Sequence, residues 1–398
     1  MTNSRYECPS VELLDSYNVK STIPDAGRKK RVAMLLQMVL DDAGIDAHVV
    51  RQTVGPQVTQ FDVSLARGVH LRRITALEET MKKALATKSL RILLAPIPGK
   101  CMVGIQMPNE SLAVVTASEL MHGKAWKNSR QQIPLMLGRN INGKDVILDL
   151  AAAPNLLLAG ATGGGLSSCI NLLVASLLFK FTPEEMRLIM VDSQEHDFTA
   201  FARLPHLHIP VVNDTAQALI ALRWTVGKVD KRLNLLAKAG VKNIAAFNNR
   251  KPSGDEVLDD DGNPIPDKLP FIVIVIGELA DIMSVAKKKA ETCFARIAAK
   301  SRTVGIHTII ATRHPDKKFL TGTILANYPV RIAFRVDSKV DLRMVIFQDG
   351  AEKLLGNGDM LFLPPGVGNI KRSQCGFISD DEIRRVVDSA AEKECDDN

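Results

Sequence analysis

One stretch, residues 155–169 with the sequence NLLLAGATGGGLSSC, constrains the fold of this chain more than any other. The apolar run 156–159 predicts a short buried strand, and the apolar-rich segment 167–179 predicts a helix. The glycines between them allow backbone N–H groups to turn inward around a phosphate, and the helix N-terminus adds a partial positive charge. Strand, glycine-rich turn and helix in this order are typical of a phosphate-binding loop, G-x-x-x-x-G-K-S/T.

The glycine loop departs from that pattern at one position. Leu166 stands where the pattern has its lysine, whereas Ser167, the hydroxyl expected to contact Mg²⁺, is present. The sequence therefore predicts a phosphate cradle without its fixed cation, although a glycine-rich turn of this kind also occurs for packing alone. The predicted nucleotide-binding residues are Gly160, Ala161, Thr162, Gly163, Gly164, Gly165, Leu166, Ser167 and Ser168.

Length and composition exclude several classes of protein. With 398 residues the chain has room for two or three domains, and its longest apolar runs, 90–98 and Phe271–Ile276, are too short to span a bilayer. The start has no signal-peptide pattern, and the six cysteines have no C-x-x-C spacing, which argues against a zinc site or disulfide framework. We therefore expect a cytoplasmic protein without a membrane segment. The net charge of +7 is compatible with a polyanionic partner.

Hydrophobic periodicity separates two folded regions. Residues 1–27 have little periodicity and predict a loosely attached, flexible arm. Residues 28–134 combine helical spacing over 28–43 with alternating strands around Gly55, and predict a small α+β domain.

The second region begins at 135 and alternates apolar strands with helices near 215–239 and 285–303. Continuous apolar strands separated by helices indicate an α/β fold with a parallel sheet covered on both faces. The polar segment 251–270, rich in Pro and Gly, predicts a surface loop inserted in this domain, and 388–398 predict a disordered tail. The predicted strands beyond the glycine loop are 188–192, 271–276, 305–311 and 330–334.

Several motifs in a fixed order indicate a family. They include GPQVTQFDVSLARGV (55–69), LGRNINGK (137–144), NLLLAGATGGG (155–165), LPHLHIPVV (204–212) and SRTVGIHTIIATRHP (301–315). In this order they resemble the motor region of the FtsK/SpoIIIE family of double-stranded-DNA translocases. The resemblance implies a RecA-like P-loop motor domain over 135–387, preceded by the family's alpha domain over 28–134. It also implies ATP with Mg²⁺ as cofactor, duplex DNA as partner and assembly into a ring.

The departures from the family pattern fall in the nucleotide site. Besides Leu166, the strand 271–276 ends in Gly277-Glu278 where the family has Asp-Glu, so the aspartate that holds Mg²⁺ is missing. The family's γ-phosphate sensor glutamine is Arg313 here. Its charge could partly replace that of the lysine, although nothing in the sequence places this arginine near the phosphates. One lost charge-assisted contact costs roughly 1.5–3 kcal/mol in binding, and one lost positioned donor about 10²–10³ in rate. The sequence therefore predicts poor ATP hydrolysis or none.

Two residues have candidate catalytic roles that the resemblance implies. Glu278 corresponds to the glutamate that orients the attacking water, and Arg302 to a position from which ring motors offer an arginine to the neighbouring subunit's nucleotide. Each has a plain structural alternative. Glu278 is also placed to cap a helix at a strand end, and Arg302 is also suited to a solvated helix C-terminus.

Two basic segments, 316–327 and 337–343, correspond to the family's pore loops. Cations and hydroxyls are what sequence-independent phosphate contacts require. The alternative is that these are ordinary surface side chains. The predicted DNA-binding residues are Lys317, Lys318, Thr321, Lys339 and Arg343.

Three functions remain open at this point. The first is a ring-forming protein that binds duplex DNA but has a degenerate ATPase site, either in a homo-oligomer or in a mixed ring with intact ATPase subunits. The second is an active ATP-dependent DNA translocase acting in chromosome segregation or DNA transfer. The third is a structural or adaptor subunit that kept the fold and lost both ligands.

Overall fold

The part of the chain that the structure describes contains two β-sheets, a four-stranded antiparallel sheet near the start and a nine-stranded mixed sheet in the remainder. Among the residues that the structure describes, no helix is long and apolar enough to cross a membrane. The structure, a computed structural model, describes residues 6–17, 26–93, 102–193, 198–250, 264–336, 339–348, 350–366 and 368–395, together with Leu258.

The small sheet has the strand order β1-β2-β4-β3. Its first helix, α1, ends before Gly44, whose φ of +60° is a conformation that glycine adopts without strain. Two short helices between the second and third strands meet at Leu77, and residues 94–101 lie outside the described part of the chain. The elements are α1 (Ala26–Asp42), β1 (Ala47–Val54), β2 (Val58–Leu65), α2 (Leu71–Ala76), α3 (Glu78–Ala84), β3 (Arg91–Ile92) and β4 (Met102–Pro108).

The large sheet has the strand order β6-β5-β13-β12-β11-β7-β10-β9-β8. The elements up to its middle are α4 (Ala117–His122), α5 (Lys124–Lys127), β5 (Pro134–Asn140), β6 (Asp145–Asp149), β7 (Asn155–Ala159), α6 (Leu166–Leu178), β8 (Met186–Val191), α7 (Thr215–Lys238) and α8 (Ile244–Asn248). The later ones are β9 (Phe271–Ile276), α9 (Leu279–Val304), β10 (Ile306–Thr312), α10 (Gly322–Asn327), β11 (Val330–Ala333), α11 (Lys339–Ile346), β12 (Asp359–Leu363), β13 (Lys371–Cys375) and α12 (Asp380–Cys395).

Five of these strands, β11-β7-β10-β9-β8, run parallel, so the predicted α/β architecture with a parallel sheet is confirmed. The sheet is mixed because β5, β6, β12 and β13 pair antiparallel at its other end. Strand β7 shows why its apolar run is continuous. Leu156 and Leu158 pack in the core with α6 and α12, whereas Leu157 and Ala159 pack on the opposite face with α7 and α9.

Some residues near the predicted domain boundaries pack in a different hydrophobic core from the one that the sequence suggests. Helices α4 and α5 lie before 134, yet Leu120, Met121 and Trp126 belong to the core of the large sheet. The described part of the N-terminal arm, 6–17, lies against α12, where Arg385 pairs with Asp15 at 2.7 Å. Helix α12 itself continues beyond 387 to Cys395 because its alanines are buried against the domain. Most of the predicted loop at 251–270 lies outside the described residues.

Candidate functional site

The carboxyl edge of the parallel strands gathers the segments that carry the predicted chemistry. Ala159, the last residue of β7, is in register with Thr312 of β10 on one side and with Ala333 of β11 on the other. The glycine loop, the segment after β10 and the segment after β11 therefore leave the sheet side by side. Glu278 joins them from the end of β9, the neighbour of β10.

The glycine loop has the tight backbone that its sequence predicts. Gly163 and Gly165 have φ angles of +77° and +110°, which side-chain-bearing residues rarely adopt. The loop rests on the turn before β12, since the Gly358 N–H donates to the Gly164 carbonyl at 2.8 Å. A methyl group on Gly165 would lie 2.4 Å from the Gly358 nitrogen, so only glycine fits there.

A cavity of about 320 Å³ opens beside the glycine loop. Among the described residues that line it there is no carboxylate, and Arg313 is the one arginine or lysine. The lining residues are Ala161, Thr162, Gly163, Gly165, Leu166, Ser167, Ser168, Arg313, Asn357, Gly358, Cys375, Gly376 and Phe377. The cavity thus contains seven of the nine predicted nucleotide-binding residues, all but Gly160 and Gly164.

Leu166, at the lysine position, is only 3 % exposed and belongs to the hydrophobic core under α6. It is the first residue of α6, directly after the left-handed Gly165. An apolar side chain at this position contributes packing and no charge. The local reason for a leucine is therefore the core beneath the helix.

Arg313 reaches the glycine loop from the end of β10. Its Nη2 donates a hydrogen bond to Ser167 Oγ at 3.1 Å. The sequence suggested that Arg313 could partly replace the lysine's charge but did not place it near the phosphates, because the reach of a long side chain is set by the packing of β10 beside β7. The structure thus brings a guanidinium to the hydroxyl that the sequence assigned to Mg²⁺.

Glu278 is 3 % exposed and both of its carboxylate oxygens accept hydrogen bonds. Oε1 accepts from the Ala280 N–H at 2.9 Å, which caps α9, and from Thr312 Oγ at 2.6 Å. Oε2 accepts from the Arg313 N–H at 2.8 Å. In this conformation Glu278 holds the start of α9 and the backbone of Arg313, which is the structural role that the sequence left open beside the catalytic one.

The residues at this site do not fit a Mg²⁺ ion of the kind the family implies. Mg²⁺ takes oxygen ligands in octahedral geometry, and in such loops a hydroxyl and a strand-end aspartate help to hold it. Here Ser167 Oγ accepts from a guanidinium, and Gly277 has no carboxylate. The Asp192 carboxylate at the end of β8 accepts from the Phe198 N–H at 2.9 Å.

Arg302, the other candidate catalytic residue, lies in the last turn of α9 and is exposed. Its guanidinium donates to the Ala152 carbonyl of the same chain. It is not among the described residues that line the cavity beside the glycine loop.

The predicted DNA-binding segments occupy the loop after β10 and the start of α11. Lys317 and Lys318 are exposed, and Arg343 is exposed on α11. Thr321 instead caps α10, accepting from the Ile324 N–H, and its hydroxyl donates to Glu291. From Lys339 onward the second segment is helical rather than a loop, and the Lys339 side chain lies outside the described part of the chain.

A buried arginine that the sequence did not single out fixes both of these segments. Arg331 of β11 is 3 % exposed and donates to the carbonyls of Tyr328, Val345 and Leu325. Leu325 belongs to α10 and Val345 to α11, so one side chain connects the two segments. Burial lowers the pKa of Arg331 to about 10, which leaves it charged at neutral pH.

Comparison with known proteins places this arrangement in a family. A sequence model of the FtsK/SpoIIIE family matches residues 117–317, and one of the FtsK alpha domain matches 8–109. Among curated relatives, the DNA translocase FtsK of Pseudomonas aeruginosa is 41% identical over 393 residues, covering 96% of this chain and 48% of the relative. The DNA translocase SftA of Bacillus subtilis is 41% identical over 382 residues, covering 96% of this chain and 39% of the relative.

Solved structures support the same fold. The pCW3 conjugation coupling protein TcpA matches with a TM-score of 0.60 at 19% identity, covering 90% of this chain and 99% of that chain. The type VII secretion ATPase EccC of Thermomonospora curvata matches with a TM-score of 0.58 at 21% identity, covering 69% of this chain and 34% of that chain. This chain spans about half the length of the curated FtsK relatives or less. The motifs, the parallel sheet with its glycine loop and the matched residues together establish that this chain belongs to the FtsK/SpoIIIE family.

Proposed function

We propose that this chain is a cytoplasmic, ring-forming member of its family that binds duplex DNA and has a nucleotide site impaired for ATP hydrolysis. The observation that carries the proposal is the buried Leu166, which replaces the lysine of the glycine loop. Gly277 in place of the aspartate acts in the same direction, because both lost groups would stabilise the same developing charge.

The proposed DNA contacts are phosphate contacts, made by Lys317, Lys318, Lys339 and Arg343, with Thr321 beside them. Exposed lysines and arginines suit this role, and the net charge of +7 favours a polyanion. The curated relatives are named DNA translocases, which agrees with such a substrate.

Assembly in this proposal is either a homo-oligomeric ring or a mixed ring in which intact ATPase subunits supply the hydrolysis. Arg302 is exposed near the start of β10 and would be offered to the neighbouring subunit's nucleotide in either ring. In a mixed ring this chain would contribute DNA contacts and Arg302 without turnover of its own.

The decisive experiment is DNA-stimulated ATP hydrolysis by the purified chain, compared with a Leu166→Lys, Gly277→Asp, Arg313→Gln variant. A Cβ atom at 277 is sterically acceptable, since it would lie 3.5 Å from the nearest atoms, which belong to Phe198 and Val191. We expect no stimulated turnover by the wild type and a gain of about 10²–10³ in rate in the variant. Stimulated turnover by the wild type would instead favour the alternative of an active ATP-dependent translocase in chromosome segregation or DNA transfer.

Adding Glu278→Gln to the triple variant tests the candidate catalytic role of Glu278. If Glu278 orients the attacking water, the recovered hydrolysis is lost while nucleotide binding remains. If its role is confined to the hydrogen bonds to Ala280, Thr312 and Arg313, the loss of rate follows the loss of stability.

The remaining alternative is a structural or adaptor subunit without either ligand. It differs from the proposed function in one measurement, the affinity for an unrelated DNA duplex by fluorescence anisotropy. Failure to bind duplex DNA at low salt, by protein that sediments as an oligomer, would favour the adaptor.

A further inference from the structure

We propose that Arg313 replaces both the missing lysine and the Mg²⁺ ion, so that the glycine loop binds the phosphates of a nucleoside diphosphate or triphosphate without a divalent cation. This inference rests on the proposed function, since it concerns the nucleotide site that the proposal describes as impaired. It goes further by proposing that the ligand is the nucleotide without bound Mg²⁺, and that Arg313 is the residue that selects this form.

The first step is the position of the charge. Arg313 Nη2 lies 3.1 Å from Ser167 Oγ, and both residues line the cavity beside the glycine loop. Ser167 is the second residue of α6, so the guanidinium lies at the helix N-terminus where such loops hold the phosphates. A guanidinium stays protonated at neutral pH, and its planar set of donors matches phosphate oxygens.

The second step is that hydrogen bonds to Glu278 and Thr312 fix the backbone around Arg313. The buried Glu278 carboxylate accepts from the Arg313 N–H at 2.8 Å and from Thr312 Oγ at 2.6 Å. Thr312 Oγ in turn accepts from the His314 N–H at 3.0 Å. The backbone at 312–314 is therefore fixed to the end of β9, and Arg313 starts from a rigid base.

The third step is the exclusion of Mg²⁺. A divalent ion on Ser167 Oγ would lie within a few ångströms of the Arg313 guanidinium, and like charges at that distance repel strongly in a partly buried site. The Glu278 carboxylate already accepts hydrogen bonds from Ala280, Thr312 and Arg313, and it is not among the described residues that line the cavity. The site therefore favours the fully charged phosphate chain over its magnesium complex.

The test measures nucleotide binding to the full chain by calorimetry, with ADP, ATP and inorganic pyrophosphate, in EDTA and in excess Mg²⁺. We expect binding in EDTA, and an affinity for ATP that Mg²⁺ lowers or leaves unchanged. Arg313→Ala should weaken binding in EDTA by roughly 10- to 100-fold, and Arg313→Lys should retain part of the affinity. The matched control is Arg296→Ala, an exposed arginine on α9 that pairs with Asp230 and lies outside the cavity.

Three outcomes would overturn the inference: no binding in EDTA, an affinity for ATP that Mg²⁺ raises, or equal affinities of the wild type and Arg313→Ala. Unchanged thermal unfolding of the variants shows that a loss of binding is local. None of these outcomes bears on DNA binding or on hydrolysis, which are measured separately. Failure of this inference is therefore distinguishable from failure of the proposed function.

Discussion

The glycine loop and the two candidate DNA segments lie at the same edge of one sheet, yet they differ in which features of the family pattern are present. The glycine loop keeps its backbone, with left-handed Gly163 and Gly165, and lacks the lysine. The segments after β10 and β11 have exposed cations. The buried Arg331 side chain holds their backbone through hydrogen bonds to the carbonyls of Val345 and Leu325. The glycine loop thus has the backbone of its predicted site without the charged side chain, whereas the neighbouring segments have the charged side chains of theirs.

This difference follows from what each kind of site needs. A phosphate cradle is built largely from backbone N–H groups, whose positions glycines and the turn at 357–358 maintain without any charged side chain. Phosphate contacts to DNA depend on side-chain charge and tolerate many backbone conformations. In the proposed function, the absence of a lysine at position 166 therefore lowers the rate of hydrolysis while the fold of the loop remains.

The largest expected effect comes from removing Arg331. In Arg331→Met three carbonyls, of Tyr328, Val345 and Leu325, lose a buried donor, at about 1 kcal/mol or more each. We expect the free energy of unfolding of the large domain to fall by roughly 3–5 kcal/mol. Amide hydrogen exchange should accelerate in α10 and α11 together and remain slow in α6.

Arg296→Met is the matched control for this change, because Arg296 is exposed and pairs only with a surface carboxylate among its described contacts. Acceleration in just one of the two helices would show that they are held separately. Faster exchange in α6 as well would show that the glycine loop depends on the same support.

The second effect concerns the exposed cations themselves. Alanine at Lys317, Lys318, Lys339 and Arg343 should flatten the slope of log affinity against log salt by about 3–4 units, since each duplex phosphate contact contributes about 0.9. Over a rise from about 50 to about 200 mM salt, this corresponds to roughly 100-fold in affinity. Fluorescence anisotropy with two unrelated duplexes measures it, and the effect should be the same for both.

A second quadruple variant removes four cations elsewhere and controls for net charge. Its substitutions to alanine are at Lys127, Arg203, Arg296 and Arg384, all of them exposed. Equal slopes for the two variants would attribute DNA affinity to overall charge and not to the proposed segments. A ring multiplies the contacts of each chain, so the measured change should exceed that of a monomer.

The third effect tests at Glu278 whether the two regions are independent. Glu278→Ala removes the acceptor for three donors, those of Ala280, Thr312 and Arg313, and we expect a loss of about 2 kcal/mol in stability. It should also weaken ADP binding in EDTA, because the backbone under Arg313 is released. DNA affinity should remain unchanged, and a loss of DNA binding equal to that of nucleotide would contradict separate regions.

The sequence predicted the backbone of this site better than its side chains. Continuous apolar runs and glycine spacing are local signals, so the parallel strands and the glycine loop were predictable from the residues themselves. Strand β13 (Lys371–Cys375) was missed because its sequence KRSQC is polar, and with it the support that β12 and β13 give to the loop. Polar strands of this kind are stabilised by pairing with neighbours that a local pattern does not show.

The positions of two arginines were beyond the sequence for a related reason. Arg331 stands in an ordinary apolar strand, and its burial depends on three carbonyls contributed by other elements. Arg313 and Ser167 are 146 residues apart along the chain, and they meet only because β10 pairs with β7. Both contacts depend on tertiary structure, because the order of the strands in the sheet determines which residues lie next to each side chain.

The smallest expected effect is on pH dependence and acts on both regions together, through the strand that precedes Arg313. His307 of β10 is buried, and burial lowers its pKa from 6.5 to about 3. Above pH 6.5 the imidazole is neutral in both folded and unfolded chains and contributes nothing. As the pH falls below 6.5 the unfolded chain binds a proton that the folded one does not, so stability falls, by about 1.4 kcal/mol at about pH 5.5. His307→Phe should remove this part of the acid dependence in chemical unfolding measured at several pH values. Parallel acid sensitivity in wild type and variant would assign the dependence to other groups.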